Sequence, residues 1–174
     1  MSLIGKEAPK FKARAWYRNH FRELTLDDFN GKYLILFFYP LDFGFVCPTD
    51  ILAFNSMATK FEMEGKCLLL GCSVDSELTH MEYCKKPRKE GGLGELDIPL
   101  ISDIHRKIAR DYGCFCEAKG HAHRATYIID ELGFIRYFSI GDFEVGRKPE
   151  EYFRLVKALQ YVDAHDGEVC PANW

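Results

Sequence analysis

The residue types with the most chemical potential gather around Cys47. Residues 37–50 run an apolar, aromatic-rich stretch into a cysteine that is followed at once by Pro48. Proline fixes φ and carries no N–H, so it suits the first position of a helix. Cys47 then sits at the helix cap, where unpaired N–H groups and the helix dipole favour negative charge. A thiol placed there is expected to ionise more readily than a free one, and the thiolate is the reactive form. Cys47 therefore reads as a nucleophile. A second cluster is Cys114-Phe115-Cys116, a four-residue turn, and His121-Ala122-His123. Folded as a hairpin, residue 116 pairs with 121 and 114 with 123. Alternation then sets two thiols and two imidazoles on one face, with Arg124 on the other. Two sulfurs and two nitrogens suit zinc. Cross-strand spacing is loose for tetrahedral ligation, so an unlinked polar hairpin surface is the favoured reading and no metal is expected.

Elements of regular structure must hold these groups in place. Residues 33–39 are apolar, aromatic-rich and too short for a typical helix, so they predict a buried strand. After Cys47, Ile51, Leu52, Phe54, Met57, Ala58 and Phe61 recur at helical spacing, predicting one helix that ends near Gly65. Residues 67–74 predict a second buried strand, in which Cys67 and Cys72 read as core residues. Glu77 to Lys86 predicts a helix stopped by Pro87 and the glycines at 91, 92 and 94. Residues 98–101 predict a short edge strand, because Pro99 cannot donate to a ladder. Ile104 to Tyr112 predicts a short helix. Residues 125–129 and 134–140 flank Asp130-Glu131-Leu132-Gly133, a hairpin signal. Pro149 to Val162 predicts an amphipathic helix. The alternation β-α-β-α, then a hairpin, then a helix, argues for an α/β fold with a mixed sheet.

At 174 residues the chain fits one domain with a full core, and its 47% hydrophobic content favours a globular fold over a disordered one. The net charge of −3 gives no footprint for a nucleic-acid partner. No apolar stretch reaches about 18 residues, so no membrane partner is expected. Nor does the start carry the apolar core of a signal peptide. Seven cysteines, an odd number without the dense spacing of a disulfide scaffold, fit a reducing compartment and a cytoplasmic location. A mitochondrial location would require a transit peptide removed ahead of this numbering.

Pro40, Phe43, residues 46–49, residues 87–94, residues 127–130, residues 145–147 and residues 167–174 together resemble a typical 2-Cys peroxiredoxin, in order and over nearly the whole chain from Ile4. The resemblance implies a thioredoxin-like α/β fold, with a mixed central β-sheet flanked by helices. It implies a thiol-dependent peroxidase that reduces hydrogen peroxide and organic hydroperoxides without metal, haem or flavin. By position, Cys47 resembles the peroxidatic cysteine and Cys170 the resolving cysteine. Pro40 resembles the proline that shields the pocket from water, and Arg124 the arginine that pairs with thiolate and peroxide. Val46 and Pro48 support the pocket. Two positions depart from the pattern. Gly44 stands where the family has Thr or Ser, and Asp50 where it usually has Glu.

Asp50 can decorate the first helical turn or pair with Arg124; the sequence leaves both open. The resemblance further implies a homodimer, with dimers assembling into a decameric ring. The resolving thiol comes from the partner subunit on a C-terminal segment at about 164–174. A thioredoxin-type reductant reopens the disulfide. Residues 91–94 resemble the family loop that slows unwinding around Cys47 and makes eukaryotic members prone to over-oxidation. Its usual C-terminal partner helix, ending in Tyr-Phe, is not in this sequence; a shortened chain and a robust enzyme both stay open. Ionisation alone raises the reactive fraction of a thiol only about tenfold to thirtyfold at neutral pH. Donors placed where charge develops as O–O breaks must therefore supply more, and Arg124 suits that task better than lysine. A rival reading is a holdase chaperone or redox-relay scaffold, to which Gly44 lends weight. A thioredoxin-like disulfide exchanger is disfavoured, since no Cys-x-x-Cys motif occurs.

Overall fold

Strand β3 (Tyr33–Phe38) is the axis of the molecule, and every one of its residues is buried. In the computed structural model, which describes residues 2–174, its side chains alternate between two cores. Leu34, Leu36 and Phe38 face one cluster with Tyr112 and Tyr127; Tyr33, Ile35 and Phe37 face another with Ile51, Phe54 and Val156. A strand covered on both faces needs the unbroken apolar run seen in the sequence.

Around β3 the elements follow in order. They are β1 (Lys12–Tyr17), β2 (His20–Thr25), β3, α1 (Cys47–Ser56), α2 (Ala58–Gly65), β4 (Cys67–Ser73), α3 (Glu77–Lys85) and β5 (Leu100–Ser102). Then come α4 (Lys107–Asp111), β6 (Phe115–Cys116), β7 (His121–Ala122), β8 (Arg124–Ile129), β9 (Ile135–Gly141) and α5 (Pro149–Ala164). Seven strands form one sheet in the order β2-β1-β5-β4-β3-β8-β9, and β6 pairs only with β7. The sheet is mixed: β3, β4 and β5 run parallel, while β8 joins β3 antiparallel. The fold expected from the resemblance, a mixed central sheet flanked by helices, is the fold observed.

Three local expectations need correction. First, β5 is an interior strand, bounded by β4 and by β1. Pro99 lies just before the paired residues, and its carbonyl still accepts from Gly71 N at 3.1 Å. The covering hairpin β1–β2 turns through Arg18 and Asn19, both at positive φ (47° and 61°). Such a two-residue turn matches strand twist, but it carries no glycine to signal it.

Second, the helix after Cys47 breaks at Met57 into α1 and α2. The Ser56 hydroxyl donates back to Ala53 O at 2.8 Å, and Asn55 Oδ1 accepts from Asp97 N at 2.7 Å. Back-bonding of this kind bends a helix without any proline or glycine. Third, α4 starts only at Lys107. Arg106 adopts a left-handed φ of 58°, and Asp103 accepts from the N–H groups of Ile108 and Ala109 at 3.0 and 2.8 Å.

Beyond α3 the glycine-rich loop folds back onto the helix. Leu93 N bonds Tyr83 O at 2.8 Å, and a Cβ on Gly92 would lie 2.0 Å from Lys86 O, so this position accepts only glycine.

Candidate active site

Cys47 is the first residue of α1, with Val46 at the cap and Pro48 second, one position further into the helix than the proline suggested. The thiol is almost enclosed, at 2% exposure, and it borders an open cleft of about 500 Å³. Pro40, Gly44, Val46 and Arg124 line that cleft with it, and Phe45 and Phe143 form part of its apolar wall. Pro40 is itself buried and lies two residues beyond the end of β3.

Arg124 enters from the start of β8, where alternation turns it away from the core tyrosines and under α1. Its guanidinium is fixed at three points. Nη2 donates to Cys47 Sγ at 3.4 Å, Nη1 to Asp50 Oδ2 at 3.2 Å, and Nε to the Phe143 carbonyl at 2.7 Å. The fork shape permits this; a point-like ammonium would not.

Of the two readings for Asp50, the pairing with Arg124 is the one formed. The shorter aspartate still reaches. It also binds Arg147, which donates to it from its backbone N at 3.0 Å and from its side chain. Arg147 additionally donates to Ala125 O at 2.8 Å and Thr126 Oγ1 at 3.0 Å. Its guanidinium lies 5.5 and 5.4 Å from the rings of Phe37 and Phe54. Sequence reasoning missed Arg147 as a site residue. It follows a glycine in an irregular loop, where no periodicity marks which residues turn inward. One carboxylate thus serves two guanidinium groups, leaving positive charge beside the sulfur.

Gly44 gives Cys47 room. A Cβ there would meet Cys47 Sγ at 3.2 Å and Leu41 O at 3.4 Å, so the sulfur stands in space that a side chain would press upon.

The loop that presents Cys47 is anchored by a buried pair. Asp42 Oδ2 faces His80 Nδ1 at 2.7 Å, Asp42 Oδ1 accepts from the Tyr39 hydroxyl at 2.8 Å, and Asp42 N donates to Asp75 Oδ2 at 2.8 Å. The other ring nitrogen of His80 lies 3.1 Å from Ile101 O, so both nitrogens face acceptors and the charged imidazolium suits the site. Burial opposes that charge, but the bonded Asp42 carboxylate outweighs it and raises the His80 pKa above its ordinary value of 6.5. A raised histidine value stabilises the fold fully below the unfolded value and loses that contribution as pH rises through the folded one. Asp42→Asn should therefore lower the thermal midpoint most below about pH 6.5, with the gap to the parent chain narrowing as pH rises from there through the raised His80 value. A constant gap across that range would show that His80 does not titrate there.

Cys170 takes no part in this cleft. It is half-buried against α5, its Sγ 3.5 Å from Ala158 O. All seven cysteines are free thiols.

The hairpin β6–β7 has the expected register. Cys116 pairs with His121, and His123 N donates to Cys114 O at 2.9 Å. A zinc site does not form from it. Cys114 is buried in the core cluster beside Tyr127, and both imidazoles pack on Phe143. Among the described residues no group of three or more His, Cys, Asp and Glu side chains is placed to hold a metal ion. No helix there is long and apolar enough to cross a membrane.

Known proteins match this geometry and sequence. A family model described as "AhpC/TSA family" matches residues 4–138, and one described as "C-terminal domain of 1-Cys peroxiredoxin" matches residues 158–174. The chain is 51% identical to "Peroxiredoxin-4" of Dictyostelium discoideum, over 98% of this chain and 65% of that protein. It is 52% identical to "Thioredoxin-dependent peroxide reductase, mitochondrial" of Homo sapiens, over 98% of this chain and 66% of that protein. It therefore spans slightly less than two thirds of the length of these two relatives. A solved structure of the reduced 2-Cys peroxiredoxin of Plasmodium vivax superposes with a TM-score of 0.96 at 41% identity, covering 100% of this chain and 90% of that one.

Proposed function

The chain belongs to the AhpC/TSA family of peroxiredoxins, and on that premise we propose that it is a thiol-dependent peroxidase in which Cys47 attacks hydrogen peroxide or an organic hydroperoxide. The observation that carries this reading is the buried Cys47 sulfur with the Arg124 guanidinium 3.4 Å away at the edge of an open cleft.

The sulfur donates an electron pair to the nearer peroxide oxygen, O–O breaks, and the leaving hydroxide or alkoxide takes a proton to become water or alcohol. Cys47 is left as a sulfenic acid. Arg124 faces the oxygens on which charge develops, and the N–H of Cys47, at a helix start, is a second donor. Pro40 offers no N–H and keeps that wall dry. Val46 and Pro48 set the helix start, and Asp50 with Arg147 holds Arg124 at the correct angle.

The Cys170 thiol of a second copy then condenses with the sulfenic acid, releasing water and forming an intersubunit disulfide. A dithiol reductant of thioredoxin type exchanges with that disulfide and leaves oxidised itself. We take residues 1–174 as one domain whose segment at about 164–174 carries the resolving cysteine. A homodimer is supported by β9, an edge strand with Ile140 exposed and its ladder groups free for pairing. Assembly of dimers into a ring is supported by exposed Leu41, Phe43 and Phe45 in the loop before Cys47. The cytoplasm is the proposed location.

Turnover tests the proposal. Peroxide consumption coupled to a thioredoxin system should vanish in Cys47→Ser and persist in Cys67→Ser; equal turnover in parent and Cys47→Ser would refute it.

Gly44 limits the rate. Restoring the hydroxyl in Gly44→Thr should raise the second-order constant with peroxide roughly tenfold, part of what one aligned hydrogen-bonding group contributes. Gly44→Ala adds the crowding Cβ alone and should give no gain. A threonine variant no faster than the alanine variant would dismiss the missing hydroxyl as the cause.

A further inference from the structure

We propose that His121 and His123 are positioning residues that clamp the Phe143 ring and thereby hold Arg124 in its working orientation. The inference rests on the peroxidase reading of the cleft and assigns a task to residues outside its catalytic set.

Two of the three anchors of Arg124 belong to α1, namely Cys47 and Asp50. The third, the Phe143 carbonyl at 2.7 Å from Nε, belongs to the segment between β9 and α5. That segment has no ladder or helix of its own, and Asp142, Glu144 and Val145 in it are exposed. A carbonyl in such a loop needs an independent tether if it is to direct a guanidinium.

The tether is aromatic. The His123 ring stacks on Phe143 with centroids 4.3 Å apart and planes 13° from parallel. The His121 ring meets Phe143 edge-on at 4.9 Å and 89°. Both arrangements are favoured ones for aromatic pairs. Both rings come from one short hairpin, and the pairing of Cys116 with His121 and the His123 N to Cys114 O bond fix their spacing. Strand alternation sends residues 121 and 123 to the same face, where Phe143 lies, while Arg124, next in sequence, points the opposite way to Cys47. Phe143, His121 and Arg124 line the same cleft. The hairpin therefore reaches the sulfur by two routes, through the chain into β8 and through the Phe143 ring.

An error of about 1 Å in a positioned group can cost around a hundredfold in rate, so partial release of the clamp should be visible. His123→Ala is expected to lower the second-order constant for Cys47 oxidation by H2O2 roughly tenfold. His123→Tyr, which keeps a ring, should recover it to within about twofold. In an Arg124→Lys background, where the Nε bond to Phe143 is already gone, His123→Ala should change the constant by less than about twofold. In a parent chain that reacts with peroxide, an equal drop in both backgrounds, or no drop in the first, overturns the clamp.

A second readout is independent of peroxide. The Arg124 Nε–H should give a resolved, slowly exchanging 15N NMR signal in the parent chain and in His123→Tyr, and fast exchange in His123→Ala. Slow exchange preserved in His123→Ala overturns the proposal whatever the peroxide assay shows. A parent chain inert to peroxide but passing the NMR test would sink the peroxidase reading and leave the clamp standing.

Discussion

Arg124→Lys should lower the second-order rate constant with H2O2 by roughly 10² to 10³, the loss typical of removing one preorganised donor from a site of developing charge. Lysine keeps the positive charge but cannot span Cys47, Asp50 and the Phe143 carbonyl at once. The comparison that gives the number meaning is alkylation of Cys47 by a neutral reagent such as iodoacetamide, which needs the thiolate but breaks no O–O bond. That rate should fall by about tenfold at most, the scale on which thiolate fraction alone operates. Stopped-flow oxidation and timed alkylation on the same preparation would separate the two. If both fell equally, Arg124 would act only on the thiol and not on the peroxide.

Removing Asp50 should cost more in stability than any other single change at the site. Its carboxylate is fully enclosed, and it is the acidic partner of both Arg124 and Arg147, which are also buried. Asp50→Ala strands two guanidinium groups, and breaking a buried pair typically costs about 3–5 kcal/mol. Asp50→Asn can still accept hydrogen bonds and should lose less; Asp50→Glu, which restores the family residue, should lose least if the loop around Arg147 yields. Urea unfolding of the three variants would rank them. An alanine variant as stable as the parent chain would mean that water reaches the site and screens both cations.

How much of this was legible beforehand depended on the kind of signal each element carries. The run at 33–39 announces a strand covered on both faces because β3 sends alternate residues into two cores. The Cys47-Pro48 start of α1 was readable because proline permits few alternatives there. Other features left no local trace. The β1–β2 hairpin turns on Arg18 and Asn19 rather than on glycine, so nothing in the sequence offsets the edge signal that Pro99 gives to β5. The break at Met57 arises from side chains that bond backbone, a tertiary matter that periodicity cannot carry.

At the site, Cys47 is legible from its place at a helix start and Pro40 and Arg124 from the resemblance, and the three meet at one cleft. Arg147 and the Asp42–His80 pair were not foreseen, because a charged residue buried by a partner distant in sequence looks like any surface charge. The favoured reading of the 114–123 hairpin, a polar surface with unlinked side chains, holds in that its side chains are not placed as a metal set among the described residues, but not for the surface, because Cys114 is buried. The register is the expected one, yet Cys114 turns into the core and both imidazoles pack on Phe143, which is remote in sequence.

What one equivalent of H2O2 does to the reduced protein is the most direct test of Cys47 as the peroxide-reactive thiol. After a brief exposure and quenching by a thiol-blocking reagent, peptide mapping by mass spectrometry should find Cys47 consumed and joined to Cys170. Non-reducing electrophoresis should show that link between chains, and Cys170→Ser should leave Cys47 as a trapped sulfenic acid, with Cys67, Cys72 and Cys114 untouched in both. Recovery of Cys47 as a blocked, unoxidised thiol while another cysteine takes up the oxidant would contradict it.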